Sequence, residues 1–69
     1  MSSLTRQERK ILDLIAEGLS NRQIAEQLFL VEKTVRNQVT RVLSKLGVER
    51  RTQAALIAAR IANGRTHHR

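Results

Sequence analysis

The chain has no cysteine, no proline and a single aromatic residue, Phe29, among its 69 residues. Without cysteine it has no disulfide framework, no thiolate metal site and no cysteine nucleophile, which suits a reducing intracellular compartment. Proteins that bind single-stranded nucleic acid usually stack bases on several aromatic rings, so one phenylalanine weighs against that ligand class. The absence of proline, with glycine at only three positions, favours a helical protein.

Long apolar runs and acidic residues are scarce as well. The apolar runs are far too short to span a membrane, and no signal-peptide segment follows Met1, so we expect a soluble cytoplasmic protein with no membrane contact. Thirteen Lys and Arg against six Asp and Glu give a net charge of +7. This balance favours polyanions through release of their counterions, but charge alone does not distinguish DNA, RNA and anionic membrane.

Local capping signals divide the chain into four predicted helices. Thr5 with Glu8, and Ser20 with Gln23, have the spacing of capping boxes, in which each side chain accepts a backbone N–H at a helix start. The predicted helices begin near residue 6 and cover residues 21–28, 32–46 and 53–63, with Thr52 as the cap of the last and Gly18, Gly47 and Gly64 beyond helix ends. We therefore expect one domain over residues 1–64 and a disordered basic tail over residues 65–69.

The third predicted helix carries the clearest functional signal. At 100° per residue its apolar side chains fall on one side of the helix, namely Val35, Val39, Val42, Leu43 and Leu46. The opposite side collects Lys33, Arg36, Asn37, Thr40, Arg41 and Ser44. After Glu32 this helix contains no acid, whereas a face that served solubility alone would mix both charges. The pattern indicates a helix that packs on one side and binds a polyanion on the other.

The second and third helices, joined by a very short connection, predict a helix-turn-helix. The predicted fold class is all-α, a four-helix bundle that contains this motif, whose second helix lies in the DNA major groove. Small Ala25 stands where the two helices would cross, with Val35 covering it. Phe29 stands where the turn often has glycine, so we expect a bend that does not rely on a positive φ at glycine. The spacing alone also fits an ordinary helical hairpin.

Five motifs in order resemble a known family. They are L-T-x-x-E at residues 4–8, E-G-L-S-N-R-Q-I-A at 17–25, E-K-T-V-R-N-Q-V at 32–39, K-L-G-V at 45–48 and R-T-Q-A-A at 51–55. This order resembles the LuxR-type helix-turn-helix. In particular it is similar to the C-terminal output domain of NarL/FixJ response regulators, and within these to the dormancy-type regulators of actinobacteria. The resemblance covers nearly the whole chain and implies a DNA-binding domain of four helices.

The resemblance also implies roles for individual residues. By position, the base-reading candidates are Lys33, Arg36, Asn37 and Thr40. The candidates for phosphate contacts are Thr34, Arg41 and Lys45 on the third helix, with Asn21 and Arg22 at the start of the second. The fourth helix often supplies the dimer contact in this family. Its apolar residues lie on more than one side, which favours a homodimer through Thr52, Leu56, Ile57 and Arg60.

Three departures from the family pattern qualify these expectations. Val31 replaces the usual Ser or Ala and has no side-chain oxygen to cap the third helix. Gln38 replaces the common His or Tyr, which leaves a backbone contact there in question. The receiver domain usually found upstream is missing, so the chain is either an excised output domain or a stand-alone regulator that needs no phosphorylation.

The sequence thus predicts a transcriptional regulator that binds double-stranded DNA specifically, as a homodimer on a two-fold site, with RNA polymerase a further possible partner. The alternative is an interaction module that docks a protein through the fourth helix and binds DNA only non-specifically. No nucleophile, metal or cofactor constellation is present, so we expect neither catalysis nor a cofactor. The pair His67-His68 forms at best a weak, adventitious metal site.

Overall fold

The structure is a computed structural model that describes the backbone of residues 3–66 and the side chains of residues 3–61. Over that range the chain forms four α-helices and no β-strand. They are α1 (Arg6–Ala16), α2 (Asn21–Leu28), α3 (Glu32–Leu46) and α4 (Arg51–Thr66). The all-α class is confirmed, and the bounds of α2 and α3 are those predicted. No helix in this part of the chain is long and apolar enough to cross a membrane.

The starts of α1 and α2 are fixed by the two predicted capping boxes. The Glu8 N–H donates to Thr5 Oγ1 at 3.1 Å and the Thr5 N–H donates to Glu8 Oε1 at 2.9 Å. In α2 the Gln23 N–H donates to Ser20 Oγ at 3.2 Å, and the Ser20 N–H donates to Gln23 Oε1 at 2.8 Å. Each box satisfies two N–H groups that the helix leaves without a backbone partner.

Two glycines follow helix ends as predicted. Gly18 and Gly47 have φ values of 89° and 72°, in the left-handed region that side chains with a Cβ rarely adopt. Val31, at the start of α3, makes no side-chain capping hydrogen bond, as its chemistry predicts. The second helix of the motif therefore begins without the side-chain acceptor that α1 and α2 have.

Phe29 forms the turn between α2 and α3. It has φ 58° and ψ 43°, and within the described residues it is the one non-glycine residue with positive φ. Its N–H and that of Leu30 both donate to the Ala25 carbonyl oxygen, which closes the end of α2. The turn bends without glycine, as expected, but through the backbone conformation that glycine would normally supply.

Helix α4 is longer at both ends than the sequence predicts. Thr52 was expected to cap it, but α4 begins at Arg51, and Gln53 Oε1 instead accepts the N–H groups of Glu49 at 3.0 Å and Arg50 at 2.9 Å. The prediction for Thr52 is wrong because Gln53 can reach back to this end as effectively. At the other end α4 continues through Gly64 to Thr66, since one glycine weakens a helix by only about 1 kcal/mol. Residues 67–69 of the predicted tail, including His67-His68, lie outside the described residues.

The core consists of two clusters that α1 connects. Ile11 and Ile15 of α1 pack in the cluster that holds the helix-turn-helix together, whose other buried members are Ile24, Ala25, Val35 and Val39. Leu12 packs in the second cluster with Val42, Ala54 and Ala58, which joins α3 to α4. Ala25 and Val35, which the sequence places at the crossing of the two helices, are both buried in this first cluster. Helix α3 contacts α1, α2 and α4, and these contacts leave one side of it open to solvent.

Candidate nucleic-acid interface

The exposed side of α3 carries the predicted base-reading residues. Burial of Val35, Val39 and Val42 fixes the rotation of the helix about its axis. The four predicted base-reading side chains are consequently all exposed and share one face, namely Lys33, Arg36, Asn37 and Thr40. At about 1.5 Å of rise per residue, they extend over about 10 Å of helix, comparable with the width of about 12 Å of the major groove.

Arg36 has an acidic neighbour at ion-pair distance. Its Nη2 lies 3.6 Å from Glu32 Oε2, one helical turn earlier, and both side chains are exposed. Lys33 and Arg41 have no acidic partner at ion-pair distance within the described residues. Within the described residues α3 therefore presents two exposed cations without an acidic partner and one that lies at ion-pair distance from a carboxylate.

Thr40 is restricted in what it can offer a base. Its hydroxyl donates to the Arg36 carbonyl oxygen at 3.1 Å, so its single hydrogen is engaged within the helix. The hydroxyl oxygen can still accept a hydrogen bond, and the methyl group is free for an apolar contact. Thr34, predicted to contact phosphate, is half-buried, whereas Arg41 is exposed.

Arg51, which the sequence analysis did not single out, connects the start of α2 to α4 through hydrogen bonds. Arg51 donates from Nη1 to Asn21 Oδ1 at 2.6 Å and from Nη2 to the Leu19 carbonyl oxygen at 2.8 Å. No local pattern predicts these bonds, since their partners are 30 and 32 residues apart. The Asn21 side-chain oxygen thus already accepts a hydrogen bond from Arg51. This bond does not involve the first backbone N–H groups of α2, which lie at the helix start.

Arg22, the other predicted phosphate contact on α2, is highly exposed. Its Nε lies 3.8 Å from Glu26 Oε2, an ion pair whose two members both remain largely in solvent. Such exposed pairs contribute little to stability. The position of Arg22 is compatible with its predicted role.

Lys45 has a structural contact that the sequence-based interpretation does not include. Its Nζ donates to Glu8 Oε1 at 2.8 Å and to the Ser3 carbonyl oxygen at 3.2 Å. The Glu8 side chain is only 3% exposed, so this ion pair joins α1 to α3 at the edge of the core. The hydrogen bond from Lys45, followed by that from the Thr5 N–H, lowers the pKa of the Glu8 carboxyl although burial opposes the shift. This pair gives Lys45 a structural role in the fold, and its predicted contact with phosphate stays a prediction.

Gln38, which departs from the family pattern, turns partly inward. The residue is half-buried, and its Oε1 is buried without a hydrogen-bond partner among the described residues. A glutamine placed in this way directs its oxygen away from solvent. This position agrees with the doubt that the sequence raises about a DNA backbone contact there.

On α4, three of the four predicted dimer residues are exposed. Thr52, Leu56 and Arg60 lie on one side of the helix, and Leu56 is 63% exposed despite its apolar side chain. Ile57 is half-buried beside them. Within the described residues, Leu56 is thus exposed to solvent on the helix that is expected to contact a second copy of the chain.

Comparison with known proteins supports the same interpretation of the fold. Residues 2–58 match the family described as bacterial regulatory proteins, luxR family. The DNA-binding transcriptional activator DevR/DosR of Mycobacterium tuberculosis is 57% identical over 65 residues, which are 94% of this chain and 30% of that protein. The transcriptional regulatory protein LiaR of Bacillus subtilis is 55% identical over 58 residues, covering 84% of this chain and 28% of that protein. The chain thus spans less than a third of the length of these curated relatives.

A solved structure gives the same result for the fold. The structure of the transcription factor GerE matches with a TM-score of 0.75 at 42% identity, covering 90% of this chain and 92% of that chain. A helix-turn-helix whose second helix exposes a cationic face defines a DNA-binding domain. The chain belongs to the LuxR family of bacterial regulatory proteins, whose members are DNA-binding transcription regulators and not enzymes. The resemblance to the output domains of NarL-type response regulators is confirmed.

Proposed function

We propose that the chain binds double-stranded DNA sequence-specifically, with α3 in the major groove and two copies on a two-fold site. The observation that carries this proposal is the exposed face of α3, where Lys33, Arg36, Asn37 and Thr40 lie together opposite a buried valine stripe. A helix packed on one side and cationic on the other has the shape and charge that a major groove accepts. Because the ligand is chromosomal DNA, we expect the protein to act in the cytoplasm.

The chemistry of each side chain suggests a base. Arg36 or Lys33 can donate to O6 and N7 of guanine, and Asn37 can pair with N6 and N7 of adenine. Thr40, whose hydrogen is engaged by the Arg36 carbonyl, can accept from the N4 amino group of cytosine or contact a thymine methyl. These residues would determine which sequence is preferred.

Phosphate contacts would supply much of the affinity. We assign them to Arg41, Thr34 and Arg22, together with the N–H groups at the start of α2 around Asn21. We keep Lys45 among these candidates, with its ammonium group also donating to Glu8. Each phosphate neutralised by a cation releases counterions, so binding should weaken steeply as salt rises.

Dimerisation belongs to the proposal as well. The exposed side of α4, formed by Thr52, Leu56 and Arg60 with Ile57 beside it, is the surface we assign to the second copy. A contact with RNA polymerase remains a prediction from the resemblance, without a surface assigned to it. The exposure of Leu56 also suits the alternative function, in which α4 docks another protein and DNA binding is non-specific.

Selection of bound duplexes from a random-sequence pool at physiological salt tests the proposal. We expect an enriched inverted repeat, bound well above a scrambled duplex. Arg36→Ala and Asn37→Ala should each lose about 1–3 kcal/mol of discrimination at particular base pairs. The matched control is Lys10→Ala, an exposed lysine on α1, which should weaken binding to all duplexes alike.

The result that contradicts specific recognition is a pool without an enriched motif, which would favour the protein-docking alternative. An enriched motif whose preference survives both Arg36→Ala and Asn37→Ala would leave specific binding intact but show that the base readout is assigned to the wrong residues. An enriched single half-site without symmetry would contradict the two-fold arrangement.

A further inference from the structure

The ion pair between Glu32 and Arg36 places a negative charge beside a proposed base-reading residue. Glu32 is the single acid in the α3 sequence, and its exposed carboxylate lies beside Arg36 on a helix whose other charges are all positive. A carboxylate near phosphates costs affinity for any duplex. An exposed pair with this 3.6 Å separation supplies only a small stability to offset that cost.

A guanidinium held in this way responds differently to a base and to a phosphate. Arg36 has five N–H donors and directs only one edge of the group at Glu32, so its other edge remains able to donate to O6 and N7 of a guanine. A phosphate is not part of the groove floor, and it attracts the whole guanidinium group, which would separate Arg36 from Glu32. Once the pair has separated, the Glu32 carboxylate faces the polyanion without its cation.

We propose that Glu32 is a specificity-determining residue that orients Arg36 for guanine and penalises its use on phosphate. Glu32 is a positioning residue, since it acts on DNA through Arg36. Glu32 would favour the preferred DNA sequence in two ways. It would make complexes with other sequences less favourable, and it would improve the complex with the preferred sequence. This inference rests on the proposed function, because it takes Arg36 to read a base.

The chain contains a matched control for this pair. Arg9 and Asp13 on α1 form an ion pair of the same i,i+4 spacing and the same 3.6 Å separation, outside the exposed face of α3. Glu32→Gln and Asp13→Asn each remove one exposed negative charge and one such pair. Comparison of the two variants separates the effect of net charge from the effect of orienting Arg36.

The experiment measures dissociation constants of each variant for the enriched duplex and for a scrambled duplex at physiological salt, with circular dichroism to confirm the fold. We expect Glu32→Gln to tighten binding to the scrambled duplex more than to the enriched one, so that the specificity ratio falls about twofold to fivefold, the range an exposed pair can supply. Asp13→Asn should tighten both alike and leave the ratio unchanged. In an Arg36→Ala background, Glu32→Gln should no longer change the ratio.

Three results would overturn the proposal, and they differ in meaning. If Glu32→Gln behaves like Asp13→Asn, then Glu32 contributes charge or helix stability alone. If Glu32→Gln still lowers the ratio in the Arg36→Ala background, Glu32 contacts a base itself and does not act through Arg36. If Arg36→Ala alone leaves the ratio unchanged, the base readout assigned to Arg36 in the proposed function fails, and the role of Glu32 fails with it.

Discussion

At the scale of single residues, Phe29 combines two properties that each cost free energy. Its φ of 58° is unfavourable for a residue with a large side chain, and the ring is 94% exposed, so packing does not compensate for the backbone strain. The strain is maintained by the short connection between α2 and α3, in which two N–H groups close on the Ala25 carbonyl oxygen. The stability of the turn therefore does not explain why the chain has phenylalanine at this position.

Replacing Phe29 with Asn should stabilise the domain. Asparagine tolerates the left-handed conformation better than phenylalanine, and the exposed ring has almost no packing to lose. We expect the free energy of unfolding to rise by about 1 kcal/mol, measured by urea titration. Phe29→Ala is the control, because it removes the ring and keeps a Cβ, and it should leave stability lower than Phe29→Asn. Equal stability of both variants would show that positive φ is not the source of the strain.

The Glu8–Lys45 pair predicts how stability depends on pH. The pKa of Glu8 in the folded protein is lowered, with the hydrogen bond from Lys45 as the main cause. A group whose pKa falls on folding stabilises the protein above its unfolded pKa and loses that contribution as pH drops through the folded value. Stability should therefore decline below the ordinary glutamate value of about 4.3.

Glu8→Gln tests this linkage. The variant should be less stable at neutral pH, because Lys45 loses its charged partner, and its unfolding free energy should fall less steeply between neutral and acidic pH than that of the wild type. Denaturant titrations across this pH range measure both slopes. Asp13→Asn, in an exposed pair on the same helix, should leave the slope nearly unchanged. Parallel slopes for Glu8→Gln and the wild type would contradict a lowered pKa at Glu8.

At the scale of elements, the starts of α1 and α2 are fixed by side-chain acceptors within four residues of the first turn, whereas α3 begins after Val31 without one. This is why the sequence predicts the starts of α1 and α2 correctly from Thr5 and Ser20. The same rule failed at α4 because two candidates, Thr52 and Gln53, were available at adjacent positions. In the structure Gln53 Oε1 accepts two N–H groups, and Thr52 lies within the first turn.

Gln53→Ala should therefore destabilise the domain by about 1 kcal/mol, because two N–H groups at the start of α4 lose their acceptor. Thr52→Ala, a change of similar exposure at the next position, should have an effect close to zero. Thermal unfolding of both variants distinguishes the two assignments. A larger loss for Thr52→Ala than for Gln53→Ala would restore the cap that the sequence predicts.

At the scale of the whole molecule, the exposed side of α4 bears on assembly. Leu56 is 63% exposed, and burial of an apolar side chain under a second copy of the chain is favourable. If two copies pair through α4 on a two-fold site, occupation of one half-site should favour occupation of the other. The proposed dimer thus predicts cooperative DNA binding.

Leu56→Ser should remove this cooperativity and leave the affinity for a single half-site nearly unchanged. Gel-shift titrations on duplexes with one and with two half-sites measure the two quantities separately. Ala16→Ser is the control, since it also places a serine at an exposed apolar position, on α1. If Ala16→Ser and Leu56→Ser reduce cooperativity equally, α4 is not the dimer contact.

The sequence by itself determined the features that depend on near neighbours. Capping hydrogen bonds join residues three positions apart, and the alternation of apolar and cationic side chains along residues 32–46 follows the helical repeat, so the all-α class and the exposed face of α3 were predictable. The resemblance to LuxR-type domains rests on the same local motifs. The candidate base-reading residues follow from this pattern and remain predictions.

Only the tertiary structure decided which charged and polar groups have partners within the protein. Lys45 is engaged by Glu8 across 37 positions, and Asn21 is engaged by Arg51 across 30, so a cation and an amide that look available in the sequence are committed within the protein. The physical reason is that such contacts depend on how helices pack. A helical wheel shows the direction of a side chain, whereas its partner is set by the neighbouring helix that the core brings beside it.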